Sequence, residues 1–470
     1  MKPGIKTFSV MCLAAVLLVI WSGAQYADAP KIQLPKYTRA VLPNGMIVLL
    51  MERHELPLVN FRWVLKSGGS IGDPAGKEGV AALTAGLLRK GTTGRTADQI
   101  ASALDFVGAT YEANAALEFS AGSAELLKKD APLGVEMIAD MLMHPVFPQD
   151  EVVKLREQSI DAIKEAKSVP GQIIQNYFAG ALYGSTLYGR PVGGTEKSLA
   201  TISRDDVVRF YQTHYAPNQL MLVAVGDFAA PEMERLVRGK FGTWEKIDVT
   251  SPAVSDQTSA QGHHFLLVEK PDSTQTFFRI GNVGLARTSA DWIPLDVVNT
   301  LFGGRFTSLI NSALRIKSGL TYGADSFFSS RRARGAFTIA SYTPNETTEK
   351  AIEMTLDVLK QFRQQGITEE QLQSAKAYIK GQFGLSIETN DELAETVSSM
   401  EFYGLPSDYI DTYFDKIDAL TLARANEMVQ KYYPSENLVF VLIGKRDVIE
   451  PVAKKLGGET KIKSIVDEGF

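Results

Sequence analysis

Gly108-Ala109-Thr110-Tyr111-Glu112-Ala113-Asn114 returns 211 residues later as Gly319-Leu320-Thr321-Tyr322-Gly323-Ala324-Asp325. The echo is not isolated. Glu136, Met137, Asp140 and Leu142 recur as Glu353, Met354, Asp357 and Leu359, at an offset of 217. His214-Tyr215-Ala216-Pro217 leads into an apolar run ending at Gly226. Its counterpart is Tyr432-Tyr433-Pro434 with a run ending at Gly444, at an offset of 218. Three matches in one order at nearly one offset define a duplication. Solenoid repeats are about 20 to 50 residues long, so a period this long means two copies of a whole domain. Thr250 to Gly262, rich in Ser, Thr, Gln, Ala and Pro and without periodicity, separates the copies. The expected layout is a signal peptide over 1–29, a first domain over 30–246, a linker over 247–263 and a second domain over 264–470.

Each copy reads as α+β. Met46 to Met51 and Leu58 to Leu65 are apolar, partly β-branched runs split by polar residues, the pattern of a hairpin. Val80 to Leu88 is apolar and helical in length. Leu133 to Met143 and Asp150 to Lys167 are amphipathic helices that stop before Pro145 and Pro170. Leu220 to Val225 is a buried strand. In the second copy, strands are expected near Phe265 to Val268 and Leu438 to Ile443, and helices over Thr347 to Gln364 and Glu369 to Phe383.

Length and composition agree with two globular domains: 470 residues, 45% hydrophobic and 22% charged. A net charge of -5 gives no basic patch for nucleic acid. At the N-terminus, Lys2 and Lys6 precede an uncharged, mostly apolar run of 14 residues, Phe8 to Trp21, followed by Ser22, Gly23 and Ala24. This is the pattern of an export signal, and the run is short for a membrane span of about 20 residues. An uncleaved N-terminal anchor is the alternative. The single cysteine, Cys12, lies inside that segment. The mature chain then has no disulfide and depends on burial alone, which suits a bacterial periplasm.

The landmarks resemble the insulinase-type (pitrilysin) zinc peptidase family across nearly the whole mature chain. The resemblance is carried by Leu42-Pro43-Asn44-Gly45, by Gly68 through Thr92 closing in Lys90-Gly91-Thr92, and by Tyr215-Ala216-Pro217-Asn218 before Val225-Gly226-Asp227. It is also carried by Gly303-Gly304-Arg305-Phe306-Thr307-Ser308-Leu309 ahead of Leu314-Arg315. It implies two α/β-sandwich domains in tandem, with antiparallel-rich sheets covered by helices, forming half of a clamshell.

In that family the first helix carries His-x-x-Glu-His. Two imidazoles one turn apart hold zinc and the Glu takes a proton from the metal-bound water. A Glu on a later helix completes the ligands. Here the resemblance places the two His positions on Ala82 and Gly86, the general base on Ala85 and the distal Glu on or beside Ala162, next to Asp161. The five histidines, His54, His144, His214, His263 and His264, form no pair at i, i+3 or i+4. They read as loop or surface residues, and an autonomous metallopeptidase is rejected.

The resemblance also implies that the second domain supplies an Arg and a Tyr seven residues apart, facing the zinc across the chamber. Arg315 and Tyr322 match them. A guanidinium and a phenol O–H can donate to the negative charge that develops on a scissile carbonyl. The structural alternative is an Arg in the last turn of a helix that Gly319 ends and a Tyr at the start of a strand. The repeat bears on the choice: the Tyr322 place holds Tyr111, whereas the Arg315 place holds Leu104. Ala113-Asn114-Ala115, with the strand that follows to Ser123, lies where the family pairs an edge strand with substrate backbone; an ordinary sheet strand is the alternative.

The expected function is therefore that of the metal-free subunit of an exported heterodimeric zinc peptidase. The chain itself carries no cofactor. A homologous partner would bear His-x-x-Glu-His and the zinc, and the substrate would be a peptide. The alternative is a non-catalytic peptide-binding or scaffold protein of the same fold. Self-dimerisation cannot complete a site, because two copies still lack ligands.

Overall fold

In a computed structural model the described residues are 33–250 and 252–470, so the expected signal segment lies outside them. The chain builds two six-stranded mixed sheets. The first comprises β1 (Thr38–Val41), β2 (Ile47–Glu52), β3 (Leu58–Leu65), β4 (Thr110–Ala115), β5 (Ser120–Leu127) and β6 (Leu220–Gly226), in the order β1-β2-β6-β3-β5-β4. The second comprises β7 (His264–Glu269), β8 (Gln275–Val283), β9 (Ala324–Phe328), β10 (Ala336–Pro344), β11 (Val439–Gly444) and β12 (Glu459–Ser464), in the order β12-β7-β11-β8-β10-β9. From β2 onward the sheets repeat strand for strand. They differ at one edge: β1 runs antiparallel to β2, whereas β12 comes from the C-terminus and runs parallel to β7.

The expected hairpin of Met46–Met51 with Leu58–Leu65 does not form. β6, arriving from more than 150 residues downstream, lies between the two runs, parallel to β2 and antiparallel to β3. Two adjacent apolar runs show only that both are strands. They do not show that the strands are neighbours, and residues 53–57 suffice to cross one intervening strand, roughly 10 Å. The fully apolar sequences of β6 and β11 explain their central places. Every residue of both is buried, as a strand covered on both faces requires. The helices fall near their expected ranges, at Val80–Leu87, Ala131–Met143, Gln149–Ser168, Thr348–Gln365 and Glu369–Phe383.

One face of each sheet is covered by helices of its own half. The other face is covered by a helix from the opposite half. Pro170–Tyr183 lays Ile173, Ile174, Tyr177 and Phe178 on Val268, Val439, Val441 and Ile443 of the second sheet. Asn390–Tyr403 lays Leu393, Val397 and Met400 on Leu49, Val64, Met221 and Val223 of the first. Each buried side chain of this size contributes about 1.5–3 kcal/mol, so the exchange fastens the halves together. A buried carboxylate adds to it. Glu118, after β4, accepts hydrogen bonds from the Tyr188 phenol and from the Arg332 backbone N–H at 3.0 and 3.1 Å. Among the described residues no helix is long and apolar enough to cross a membrane.

Candidate active site

The helix Val80–Leu87 starts where the sequence supplies an acid. The buried Asp73 carboxylate accepts the backbone N–H groups of Gly79 at 2.7 Å and Ala81 at 2.9 Å, two donors that a helix N-terminus leaves unpaired. Burial pushes the Asp73 pKa up to about 7, against the lowering effect of those two N–H groups. The helix then packs on β4 and against Gln149–Ser168.

The four positions expected for the metal motif all lie on this pair of helices. Ala85 is fully buried, Ala82 and Gly86 are half-buried, and Ala162 is exposed. A Cβ added at Gly86 would stand 3.0 Å from Leu155 Cδ2. A side chain at this half-buried position would therefore have to push the end of the Leu155 side chain slightly aside. Ala and Gly side chains offer no donor atom, so these residues do not fit a metal. Asp161 is exposed and pairs with Lys164 at 3.2 Å. Among the described residues no group of three or more His, Cys, Asp and Glu could hold an ion.

The histidines are scattered. His54 pairs with Asp227 on the surface, and His144 caps a helix. His214 is buried on Phe210 with ring centroids 4.3 Å apart. His263 accepts the Leu438 N–H, and His264 starts β7 beside Glu459.

Arg315 and Tyr322 belong to one rigid segment of the second half. Ser308 caps a short turn, and Ser312–Lys317 then winds as a π-helix, a form frequent at functional sites. Gly319, at φ +63°, takes the left-handed conformation that ends it. The next turn is stapled to β10. The Thr343 hydroxyl donates to the Leu320 carbonyl at 2.7 Å and the Ser341 hydroxyl to the Gly323 carbonyl at 2.8 Å. Thr321 Oγ1 bonds both the carbonyl and the N–H of Gly323. The expected strand start at Tyr322 is therefore displaced. This turn holds Tyr322 and Gly323 out of the ladder, and β9 begins at Ala324.

The side chains are displayed while the backbone is fixed. Tyr322 is 78% exposed. Arg315 lies over the Phe306 ring at 4.6 Å, and Phe306 is itself exposed. Among the described residues neither the guanidinium nor the phenol has a hydrogen-bond or ionic partner, so their donors are unspent. In the first half, Ala113, Asn114 and Ala115 lie on β4, the last strand of its sheet, which pairs with β5 alone. The Asn114 side chain shares a sheet face with Ala121 and Val64, the face turned to the other half. The metal-motif helix and β4 thus lie together, while the Arg/Tyr segment stands in the other half. Sequence reading missed Asp73 and Glu118. For Asp73 the available signal was an acid shortly before an apolar helix.

Two family models match the amino-acid sequence of this chain. Residues 61–196 match the one described as Insulinase (Peptidase family M16), and residues 201–379 match the one described as Peptidase M16 inactive domain. The chain belongs to the insulinase-type (M16) peptidase family. An uncharacterized zinc protease of Streptomyces coelicolor is 26% identical over 82% of this chain and 84% of its own length. A protein of Helicobacter pylori named a non-peptidase homolog is 22% identical over 92% of this chain and 98% of its own. The crystal structure of a peptidase M16 inactive domain from Pseudomonas fluorescens superposes with a TM-score of 0.82, at 24% identity, over 91% of this chain and all of that one. The M16 fold is thus present in both halves of this chain.

Proposed function

We propose that this chain is the non-zinc-binding subunit of an exported heterodimeric zinc metallopeptidase. A homologous partner bearing His-x-x-Glu-His would hold the metal. This chain would contribute Arg315 and Tyr322 as donors to the charge that develops on a scissile carbonyl, and β4 as an edge for extended peptide backbone. One asymmetry supports the reading. The positions expected for the metal hold only Ala and Gly, without a donor atom, while the Arg/Tyr pair stays exposed on a backbone that hydroxyl groups pin in place.

The test is peptide hydrolysis by the chain alone, by a zinc-bearing partner alone and by the mixture. Hydrolysis is expected only in the mixture. Chelator-sensitive activity of the isolated chain would overturn the proposal, as would a mixture indifferent to Arg315→Ala and Tyr322→Phe. Export rests on residues 1–29, and N-terminal sequencing of the protein recovered from a periplasmic fraction tests it.

A second reading is a non-catalytic peptide-binding or scaffold protein. The Helicobacter relative named a non-peptidase homolog favours it. It predicts peptide binding with no hydrolysis in any mixture.

A further inference from the structure

The second half carries a pocket of about 470 Å3, a volume typical of small-ligand sites. It lies where the chain returns from the exchanged helix Asn390–Tyr403 to the helices of its own half. Ile293, Leu405, Pro406 and Leu420 give it apolar walls. Three cations, Arg287, Lys416 and Arg424, also line it, and among the described residues no acid does.

The three cations are not equivalent. Arg424 is neutralised by Asp291 and Glu427. Among the described residues neither Arg287 nor Lys416 forms an ion pair. Arg287 lies over the rings of Trp292 and Tyr409, 4.9 Å from each, and donates to the Tyr409 phenol at 2.9 Å. Its backbone N–H donates to the Arg331 carbonyl at 2.8 Å. The residue is thus held at both ends, and among the described residues its other guanidinium donors are unspent. Asp296, on which Arg287 acts through space, lies outside the lining and accepts the Tyr413 phenol at 2.9 Å. Lys416, on an exposed side chain, stands over the same Tyr409 ring at 5.4 Å.

We propose that this pocket binds a free fatty acid, with the carboxylate on Arg287 and the chain against Leu405 and Leu420. A guanidinium stacked on aromatic faces presents its N–H edge, the side that matches a carboxylate in a two-bond fork. Lys416 adds a second positive charge beside the same ring. Each methylene laid on the apolar walls adds affinity. The lining residues belong to loops and helices. They offer no strand edge to a peptide backbone, whose amides would be buried unpaired. That favours a fatty acid over a peptide C-terminus bearing the same carboxylate. The inference does not depend on the peptidase reading.

Isothermal titration calorimetry of the full chain with octanoate and 1-octanol tests the carboxylate end. Octanoate is expected to bind at least about tenfold more tightly, the difference made by a charge-assisted hydrogen bond. In Arg287→Gln the preference falls to about one. Lys416→Glu, at an exposed position, lowers it severalfold with the melting temperature unchanged, and decides the matter if Arg287→Gln fails to fold. Equal binding of the two ligands by the wild type, or a preference that survives both substitutions, overturns the site.

Butyrate tests the apolar end. It is expected to bind at least about tenfold more weakly than octanoate, because its tail is too short to lie along the walls. Leu405→Asn is expected to weaken octanoate and to leave butyrate unchanged. Equal binding of butyrate and octanoate overturns the fatty acid as occupant. So does a leucine-ended peptide that displaces octanoate with a free C-terminus and not with an amidated one, which would assign the pocket to a peptide terminus.

Discussion

Tyr111 and Tyr322 occupy the same place in the repeat and meet opposite environments. Tyr111 is 7% exposed, the second residue of β4, opposite Ala124 and beneath the Val80–Leu87 helix. Tyr322 is 78% exposed, two residues ahead of β9 on a turn pinned by hydroxyl groups. The partner positions follow suit. Leu104 is 8% exposed in the first core, while Arg315 keeps its guanidinium free above Phe306. A duplicated backbone thus carries packing in one half and display in the other. The acids before the helices differ in another way. Asp73 is buried and answered by backbone N–H groups, whereas Asp291 is buried and answered by Lys431, Tyr432 and Arg424.

The largest test of the comparison is thermodynamic. Tyr111→Ala empties a core site and is expected to cost about 3–5 kcal/mol, the range for a buried aromatic. Tyr322→Ala is expected to change stability by no more than about 0.5 kcal/mol, as for an exposed residue. Urea unfolding of both variants measures the difference. Similar losses would mean that Tyr322 supports the fold after all.

The two acids predict opposite pH behaviour. Asp73 titrates near 3.8 when unfolded and at about 7 when folded. Between those values the folded chain holds a proton that the unfolded chain has released. Its contribution is therefore complete below about pH 4 and is lost as pH rises through 7, at most roughly 4 kcal/mol. For Asp291, burial works to raise the pKa, but the hydrogen bonds of Lys431 and Tyr432 and the charges of Arg424 and Lys431 outweigh it and leave the pKa lowered. Its contribution is present at neutral pH and is lost only as pH falls below the ordinary carboxylate range. Urea midpoints at pH 4.5, 6 and 7.5 are expected to decline in the wild type and to flatten in Asp73→Asn. A decline that survives in Asp73→Asn would remove Asp73 as its source.

In a mixture with the zinc-bearing partner proposed above, Arg315→Ala is expected to lower kcat by about 10²–10³, equivalent to 2.7–4 kcal/mol, as for loss of one oxyanion donor. Unfolding midpoints should stay unchanged. A fall in KM-dependent binding with kcat intact would make Arg315 a substrate anchor and not a transition-state donor.

Much of this was legible in the chain. The repeat, the helices and the buried central strands follow from periodicity, because each is a local pattern. Strand order was not, because β6 comes between β2 and β3 from far away in sequence. The exchanged helices were hidden for a related reason. Pro170–Tyr183 and Asn390–Tyr403 look amphipathic or apolar without saying whose sheet they cover. At the site, residue identity gave only expectations: four metal positions without donors and an Arg/Tyr pair. It could not show that the Leu155 side chain lies beside Gly86, or that Tyr111 and Tyr322 meet opposite environments, since burial depends on neighbours distant in sequence.

The smallest expected effect tests how far the first half has moved from holding a metal. If only the ligands were missing, Ala82→His, Ala85→Glu, Gly86→His and Ala162→Glu together would restore stoichiometric zinc. The 3.0 Å approach of Leu155 to a Cβ at position 86 argues otherwise. The new imidazole must first push the half-buried end of the Leu155 side chain aside, toward the low end of the about 1–3 kcal/mol for overpacking, before it can face its partner imidazole on the same helix side. The fourfold variant is expected to bind no stoichiometric zinc in a competition titration and to unfold at lower urea. Leu155→Ala on that background makes room for the imidazole and is expected to bring metal binding back. Full zinc occupancy with Leu155 intact would show that the half lost its ligands without repacking, and the contrast with the displayed Arg315 and Tyr322 would then rest on side-chain identity alone.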